Sequence, residues 1–153
     1  MAVIVIVDDD PTVRLIAREI LVTDGHAILE AEDGDAALKL ISNLPVDLVV
    51  LDMLMPNKDG LETILDLRRS HPHIRILAIS SGGSMKAGQL LHMALTFGAD
   101  GAMSKPLRLE AFSQTVGRLL APRRASRDDD PPPQTWMGLS RSAFGVGGAD
   151  VAQ

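Results

Sequence analysis

The sequence predicts an α/β fold in which five parallel strands form one sheet with helices on both faces. Short runs rich in Val, Ile and Leu alternate along the chain with segments whose apolar residues recur at helical spacing. The runs are continuously apolar, as is typical of strands buried on both sides of a parallel sheet. A chain of 153 residues without cysteine fits one domain that needs no disulfide.

Five strands are expected, and most of them end at polar residues. The predicted strands are 3–7, 26–31, 48–52, 74–79 and 99–104. Right-handed crossovers between successive parallel strands would place the intervening helices on both faces of the sheet, which makes the fold doubly wound.

Five helices are expected between and after the strands. Asp10 is a plausible N-cap for the first, with Pro11 at its first position and Gly25 beyond its end. Asp33 and Gly34 open the second. The later helices are predicted from apolar spacing at Leu61, Ile64, Leu65 and Arg68, then over about 86–97, and then at Leu109, Phe112, Val116 and Leu119.

The composition changes at Pro122. Residues 1–121 carry the predicted domain, whereas 122–153 are rich in Pro and Gly and show no periodicity. We therefore expect 122–153 to be a largely disordered tail. An alternative is that Trp136, Leu139 and Phe144 form a docking peptide. No output domain for DNA binding or catalysis is expected after Leu120.

The charge argues against a nucleic-acid partner. The net charge of −5 comes from residues 1–121, which hold 11 basic and 16 acidic residues, and aromatic residues are scarce. Without a basic stripe or a set of aromatic side chains, neither binding along a nucleic-acid backbone nor stacking on bases is favoured.

The N-terminal apolar stretch stops at Asp8, too early for a signal peptide or a membrane span. We expect a cytoplasmic protein without a membrane partner.

Ionisable and polar side chains follow the strands at corresponding positions. Asp8 and Asp9 follow the first strand, Asp52 closes the third, Ser80 follows the fourth and Lys105 the fifth. Because the carboxyl ends of parallel strands meet at one edge of the sheet, these groups are expected to converge there. Clustered carboxylates repel one another unless one is protonated or a cation joins them. Oxygen ligands without His or Cys favour Mg²⁺.

Such a cluster suits phosphoryl transfer. A carboxylate beside Mg²⁺ can act as a covalent nucleophile towards phosphorus, and Asp52 is the candidate. Lys105 can neutralise charge on the phosphoryl oxygens, and the Ser80 hydroxyl can donate a hydrogen bond to one of them.

These residues together resemble the receiver domain of bacterial two-component response regulators. The resemblance covers residues 1–121 and depends on the acidic pair Asp8-Asp9, on Asp52 with its Pro/Gly loop, on Ser80, and on Lys105-Pro106. It implies a flavodoxin-like fold with strand order 2-1-3-4-5, and a signalling domain rather than an enzyme.

The resemblance also implies roles for the residues. Asp52 would accept phosphate from a histidine of a sensor histidine kinase or histidine phosphotransfer protein. Asp9, Asp52 and the backbone carbonyl of Leu54 would coordinate Mg²⁺, with Asp8 acting through water. Lys105 would pair with Asp52 or with the phosphoryl group, and the bond to Pro106 would be cis. An unknown protein target would receive the signal, and a homodimer can form through the fourth and fifth helices.

One position departs from the family pattern. Receivers usually carry Tyr or Phe three residues before the lysine, and this chain has Ala102. The aromatic side chain that usually turns inward on activation is therefore missing. Our hypothesis is that the Ser80–Ser84 loop, with its paired glycines, is the moving part.

Two other functions fit parts of the sequence. Asp8 and Asp10-Pro11-Thr12 match the strand-ending motif of haloacid-dehalogenase-type phosphohydrolases, with Asp8 as nucleophile and Asp10 as acid and base. That family needs a further acidic cluster after the lysine, where only Glu110 follows within the predicted domain, and it assigns no role to Asp52. A receiver that has lost phosphorylation and only binds partners is the other alternative, and the complete site argues against it.

Overall fold

The structure is a computed structural model that describes residues 1–55, 59–81 and 85–122. It contains five parallel strands in one sheet, in the order β2-β1-β3-β4-β5, which confirms the predicted topology. The strands are β1 (Val3–Val7), β2 (Ala27–Ala31), β3 (Leu48–Asp52), β4 (Arg75–Ser81) and β5 (Gly101–Lys105). The helices are α1 (Pro11–Thr23), α2 (Gly34–Asn43), α3 (Gly60–Ser70), α4 (Met85–Phe97) and α5 (Leu109–Leu120).

The sheet is covered on both faces, as its continuous apolar strands require. Val5 and Val7 of β1 pack on one face with buried residues of α2, α3 and α4. Ile4 and Ile6 point the other way and pack with α1 and α5. Successive side chains of one strand thus enter two separate cores, which explains why the strand has no polar alternation.

Aspartate side chains begin three of the helices. Asp10 Oδ1 accepts a hydrogen bond from the Thr12 backbone N at 2.9 Å, with Pro11 as the first helical residue, which confirms the predicted cap. Asp33 accepts from the Ala36 backbone N at 2.8 Å and so opens α2, and Asp59 caps α3 in the same way. Each of these caps begins the helix that follows a strand of the sheet.

The buried faces of the helices differ in part from the predicted apolar stripes. Leu65 and Leu109 belong to the predicted stripes but are 45% and 62% exposed, whereas Leu67 is fully buried. Successive residues of a helix are about 100° apart, so apolar residues at i, i+3 and i+4 define the centre of the buried face but not whether the positions at its two sides are buried. The packing of each helix on the sheet decides which side is covered.

Arg68 has a structural role that helical spacing does not reveal. Its guanidinium donates to the carbonyl oxygens of Gly98 at 2.8 Å and Ile74 at 2.6 Å, and pairs with Asp100 Oδ2 at 2.7 Å. The side chain therefore joins the end of α3 to the turn before β5, at the sheet edge opposite the carboxyl ends.

Some predictions fall outside the described residues. The loop residues 82–84 and the segment 123–153 lie there, so the domain boundary, the disordered tail and the docking peptide stay predictions. Among the described helices, none combines the length and the apolar character needed to cross a bilayer.

Candidate functional site

Three aspartates converge at the carboxyl edge of the sheet. β1 and β3 are neighbours in register, with Val7 beside Leu51, so the residues that follow β1 lie next to Asp52. One carboxylate oxygen from each of Asp8, Asp9 and Asp52 lies within 4.8 Å of the others. The convergence that the sequence predicts is therefore present.

The three aspartates differ in solvent exposure. Asp8 is fully buried and Asp52 is 3% exposed, whereas Asp9 is exposed. Buried carboxylates that lie this close together need a compensating positive charge.

Lys105 supplies one positive charge from the end of β5. Its Nζ lies 2.8 Å from Asp8 Oδ2 and 3.5 Å from Asp52 Oδ1, and its side chain is 16% exposed. The resemblance implied that Lys105 pairs with Asp52 or with a phosphoryl group. The structure differs from that expectation, because the shorter contact of Lys105 is with Asp8. Oδ2 of Asp8 has no other hydrogen-bond partner among the described residues, which explains why the ammonium lies closer to this carboxylate. The Lys105–Pro106 bond is cis, as the resemblance implied.

The negative charge of Asp52 is unfavourable in its buried position, even with Lys105 beside it. Burial raises the pKa of Asp52 from 3.8 to about 6, and the negative charge of Asp8 adds to the effect. The Lys105 ammonium and the Leu54 backbone N–H, which lies 3.3 Å from Asp52 Oδ1, act in the opposite direction without cancelling it. Burial lowers the pKa of Lys105, but its contacts with Asp8 and Asp52 outweigh burial and leave that pKa raised.

Ser80 brings a buried hydroxyl to the same edge. It lies near the end of β4, whose Ile79 pairs with Asp52 in the ladder. Ser80 is fully buried, and its Oγ has no hydrogen-bond partner among the described residues. Because an unpaired buried hydroxyl is unfavourable, this group is suited to a polar ligand that enters the site.

Leu54 and Ala102 are the remaining positions that the sequence marks as important. The Leu54 side chain is 49% exposed and its N–H contacts Asp52, while the role of its carbonyl as a ligand stays a prediction. Ala102 lies beside Ala78 in the ladder and packs partly buried against one core. The switch hypothesis involves residues 82–84, which are not described, and it stays a prediction.

The residues present fit Mg²⁺. The side-chain donors that converge are three carboxylate oxygens, and burial makes the negative charge of Asp52 unfavourable. A hard divalent cation held by few carboxylates and several waters suits such a partly open acidic edge.

Arg14 also contacts the site, although the sequence patterns did not indicate it. Its Nη1 donates to the backbone carbonyl oxygen of Asp8 at 2.6 Å, and its side chain is 17% exposed. The sequence offers one sign of this contact: an arginine lies one turn into the helix that follows the acidic end of β1. That sign is weak, because surface arginines are common at such positions.

Comparison with known proteins identifies the family. Residues 4–117 match the model of the response regulator receiver domain. The chain therefore belongs to the response regulator receiver domain family. The haloacid-dehalogenase alternative receives no support from this match, and in the structure the Asp10 carboxylate is engaged as the cap of α1.

Relatives and solved structures agree with this assignment. The chain is 37% identical to the response regulator MprA of Mycobacterium sp. (strain KMS) over 139 residues. The matched region covers 90% of this chain and 58% of MprA. The chain is 35% identical over 135 residues to the transcriptional regulatory protein CpxR of Klebsiella pneumoniae, covering 88% and 55%. The chain thus spans a little over half the length of these relatives. The crystal structure of the receiver domain of NtrX from Brucella abortus is similar with a TM-score of 0.71 and 28% identity, covering 76% of this chain and 97% of that one.

Proposed function

We propose that Asp52 accepts a phosphoryl group from a phosphohistidine of a sensor histidine kinase or a histidine phosphotransfer protein, in a reaction that requires Mg²⁺. The observation that carries the proposal is the Asp52 carboxylate itself. It is buried, it lies within reach of two further carboxylates, and the Lys105 ammonium is 3.5 Å from its Oδ1.

The chain's own residues account for the transfer. An Asp52 oxygen forms a bond to phosphorus while the nitrogen–phosphorus bond of the donor breaks, and the released imidazole nitrogen takes up a proton. Lys105 meets the negative charge of the phosphoryl oxygens, and the unpaired Ser80 hydroxyl donates a hydrogen bond to one of them. Asp8, Asp9, Asp52 and the Leu54 carbonyl would hold Mg²⁺, which supplies neutralisation of phosphoryl charge.

The phosphorylated form is proposed to signal through a protein partner. Residues 1–121 contain more acidic than basic residues, which favours a protein partner rather than nucleic acid. One relative is named a transcriptional regulatory protein, so DNA is the other outcome to test. Signalling without a DNA-binding output domain, formation of a homodimer and a cytoplasmic location stay predictions.

The test is to locate the phosphoryl group. The full chain is incubated with acetyl phosphate and Mg²⁺, and the acyl phosphate is mapped by mass spectrometry after reductive trapping. We expect one label on Asp52, lost in Asp52→Asn and on addition of EDTA. Asp24→Asn, which changes an exposed carboxylate at the C-terminal end of α1, is the matched control and should label like the wild type. A label on Asp8 that persists in Asp52→Asn would show that the phosphohydrolase alternative is correct.

A further inference from the structure

Arg14 makes a contact that the proposed chemistry does not use. The residue lies one turn into α1, and its Nη1 reaches the Asp8 carbonyl oxygen at 2.6 Å. Its Nε lies 3.1 Å from Oε1 of Glu30 on β2, which holds the guanidinium in place. Three elements are therefore joined where β1 ends: the second strand, the first helix and the acidic pair.

The rest of Asp8 is already fixed. Its backbone N–H donates to the Ala31 carbonyl at 3.1 Å, and its Oδ1 accepts from the Asp10 N–H at 2.9 Å. Its Oδ2 faces Lys105 at 2.8 Å. The carbonyl bound by Arg14 is the remaining polar group of this residue.

That carbonyl controls the direction of the next residue. The C=O of Asp8 and the N–H of Asp9 share one rigid peptide plane, so holding the carbonyl fixes how the chain enters Asp9. The Asp9 carboxylate is exposed, and among the described residues no side chain or backbone N–H holds it. Its place in the acidic cluster therefore depends on the backbone.

We propose that Arg14 is a positioning residue that orients Asp9 towards Mg²⁺ through the Asp8 carbonyl, an inference that rests on the proposed function. Without this hydrogen bond the peptide plane can rotate, and the exposed carboxylate spends less time beside Asp8 and Asp52. Metal affinity falls, whereas the groups that contact the phosphoryl group stay in place. Mg²⁺ binding and the chemical step are therefore affected differently.

The principal variant is Arg14→Gln in the full chain. Isothermal titration with MgCl₂ alone should show affinity about tenfold weaker, as for other residues that orient metal ligands. In the metal-free protein, the backbone amide signals of Asp9 and Asp10 should shift in NMR spectra. The rate of labelling by acetyl phosphate should need more Mg²⁺ but return to within about twofold of the wild type at saturation, because Arg14 does not contact the reacting atoms.

Arg18 offers a matched control on the same helix. Its Nη1 lies 3.3 Å from Oε2 of the same Glu30, its side chain is 45% exposed, and it makes no described contact with Asp8. Arg18→Gln should therefore change Mg²⁺ affinity by no more than about twofold, as exposed ion pairs contribute little. Arg14→Lys, which keeps a donor but loses the fork that also binds Glu30, should recover part of the affinity.

The outcomes separate the two proposals. Equal Mg²⁺ affinity of Arg14→Gln and the wild type would overturn the positioning role while leaving phosphorylation of Asp52 intact. An equal loss of Mg²⁺ affinity in Arg18→Gln would also overturn the positioning role, because the loss would then come from the ion pair with Glu30 that both arginines share. A wild-type protein that neither binds Mg²⁺ nor labels on Asp52 would overturn the proposed function and this inference together.

Discussion

At the scale of single residues, the site combines charges that would be unfavourable in the absence of a ligand. Asp8 and Asp52 are buried carboxylates that share one ammonium, and Ser80 contributes a buried hydroxyl without a partner among the described residues. The ionised Asp52 carboxylate and the unpaired Ser80 hydroxyl each cost stability in the metal-free protein, because buried polar groups lose their hydration. A bound cation would compensate the carboxylate charge, and a phosphoryl group would accept a hydrogen bond from the Ser80 hydroxyl. The groups that lower the stability of the metal-free protein are therefore the groups that bind the ligands.

Replacement of Asp52 by Asn should stabilise the metal-free protein. The pKa of Asp52 rises from 3.8 to about 6 on folding, so the folded state binds more protons between these values, and the free energy of unfolding falls as pH rises through that window. At neutral pH the ionised group therefore destabilises the fold, and Asp52→Asn should gain about 1–3 kcal/mol in urea unfolding with EDTA present.

Acid provides the internal check on this prediction. At about pH 5 the wild-type carboxyl is largely protonated in the folded state, so the advantage of Asp52→Asn should shrink by about 1 kcal/mol relative to neutral pH. Asp24→Asn, which changes an exposed carboxylate that accepts a hydrogen bond from Ser113, is the control for removing a negative charge away from the buried site. An advantage that grows on acidification would contradict burial of the Asp52 charge as the cause.

Among the elements, the first turn of α3 packs so closely on the end of β3 that Asp52 and Met53 leave no room for a side chain at Gly60. A Cβ atom there would lie 2.7 Å from both Cα and Sδ of Met53 and 3.0 Å from the Asp52 carbonyl oxygen. Two of these atoms belong to the backbone and cannot rotate away. The start of α3 therefore lies directly against the residues that carry the candidate phosphoacceptor.

Gly60→Ala should destabilise the protein by about 1–3 kcal/mol, as overpacking does. It should also weaken Mg²⁺ binding, because relief of the clash moves the chain at Asp52. Gly117→Ala in α5 is the matched control. Apart from its chain neighbours and the nearby backbone of α5, nothing lies within 4 Å of its Cβ position, so the helix should gain about 0.5–1 kcal/mol with unchanged Mg²⁺ affinity. Calorimetry and urea unfolding on the two variants measure both effects.

The elements also show what the sequence can and cannot predict. Asp10 as a cap and the convergence of Asp8, Asp9 and Asp52 could be predicted, because both follow from local rules and from the geometry of parallel strands. The contacts of Arg68 could not, since its partners Gly98 and Asp100 lie 30 and 32 residues away. Nothing local distinguishes an arginine that binds distant carbonyls from one in solvent.

At the scale of the whole molecule, the sheet connects the site to global stability. The strands that end in the acidic cluster also form the two cores, with Val5 and Val7 on one face and Ile4 and Ile6 on the other. The carboxylates at the ends of β1 and β3 can be held together only when the sheet is formed. A cation that needs groups from both strands therefore binds the folded state alone, and its binding energy adds to the free energy of unfolding.

Mg²⁺ should consequently stabilise the wild type and reverse its ranking against Asp52→Asn. A ligand specific for the folded state at about 100 times its dissociation constant contributes about 2.7 kcal/mol, comparable to the advantage of Asp52→Asn without metal. Asp52→Asn lacks one of the three carboxylates and should gain much less from the same concentration of Mg²⁺. Urea unfolding of both proteins across a MgCl₂ series, with equal ionic strength kept by KCl, measures the crossing. If the free energies of unfolding of the two proteins rise in parallel with MgCl₂, Asp52 takes no part in holding the cation. If KCl alone raises the free energy of unfolding to a similar extent, the effect comes from screening of the net negative charge.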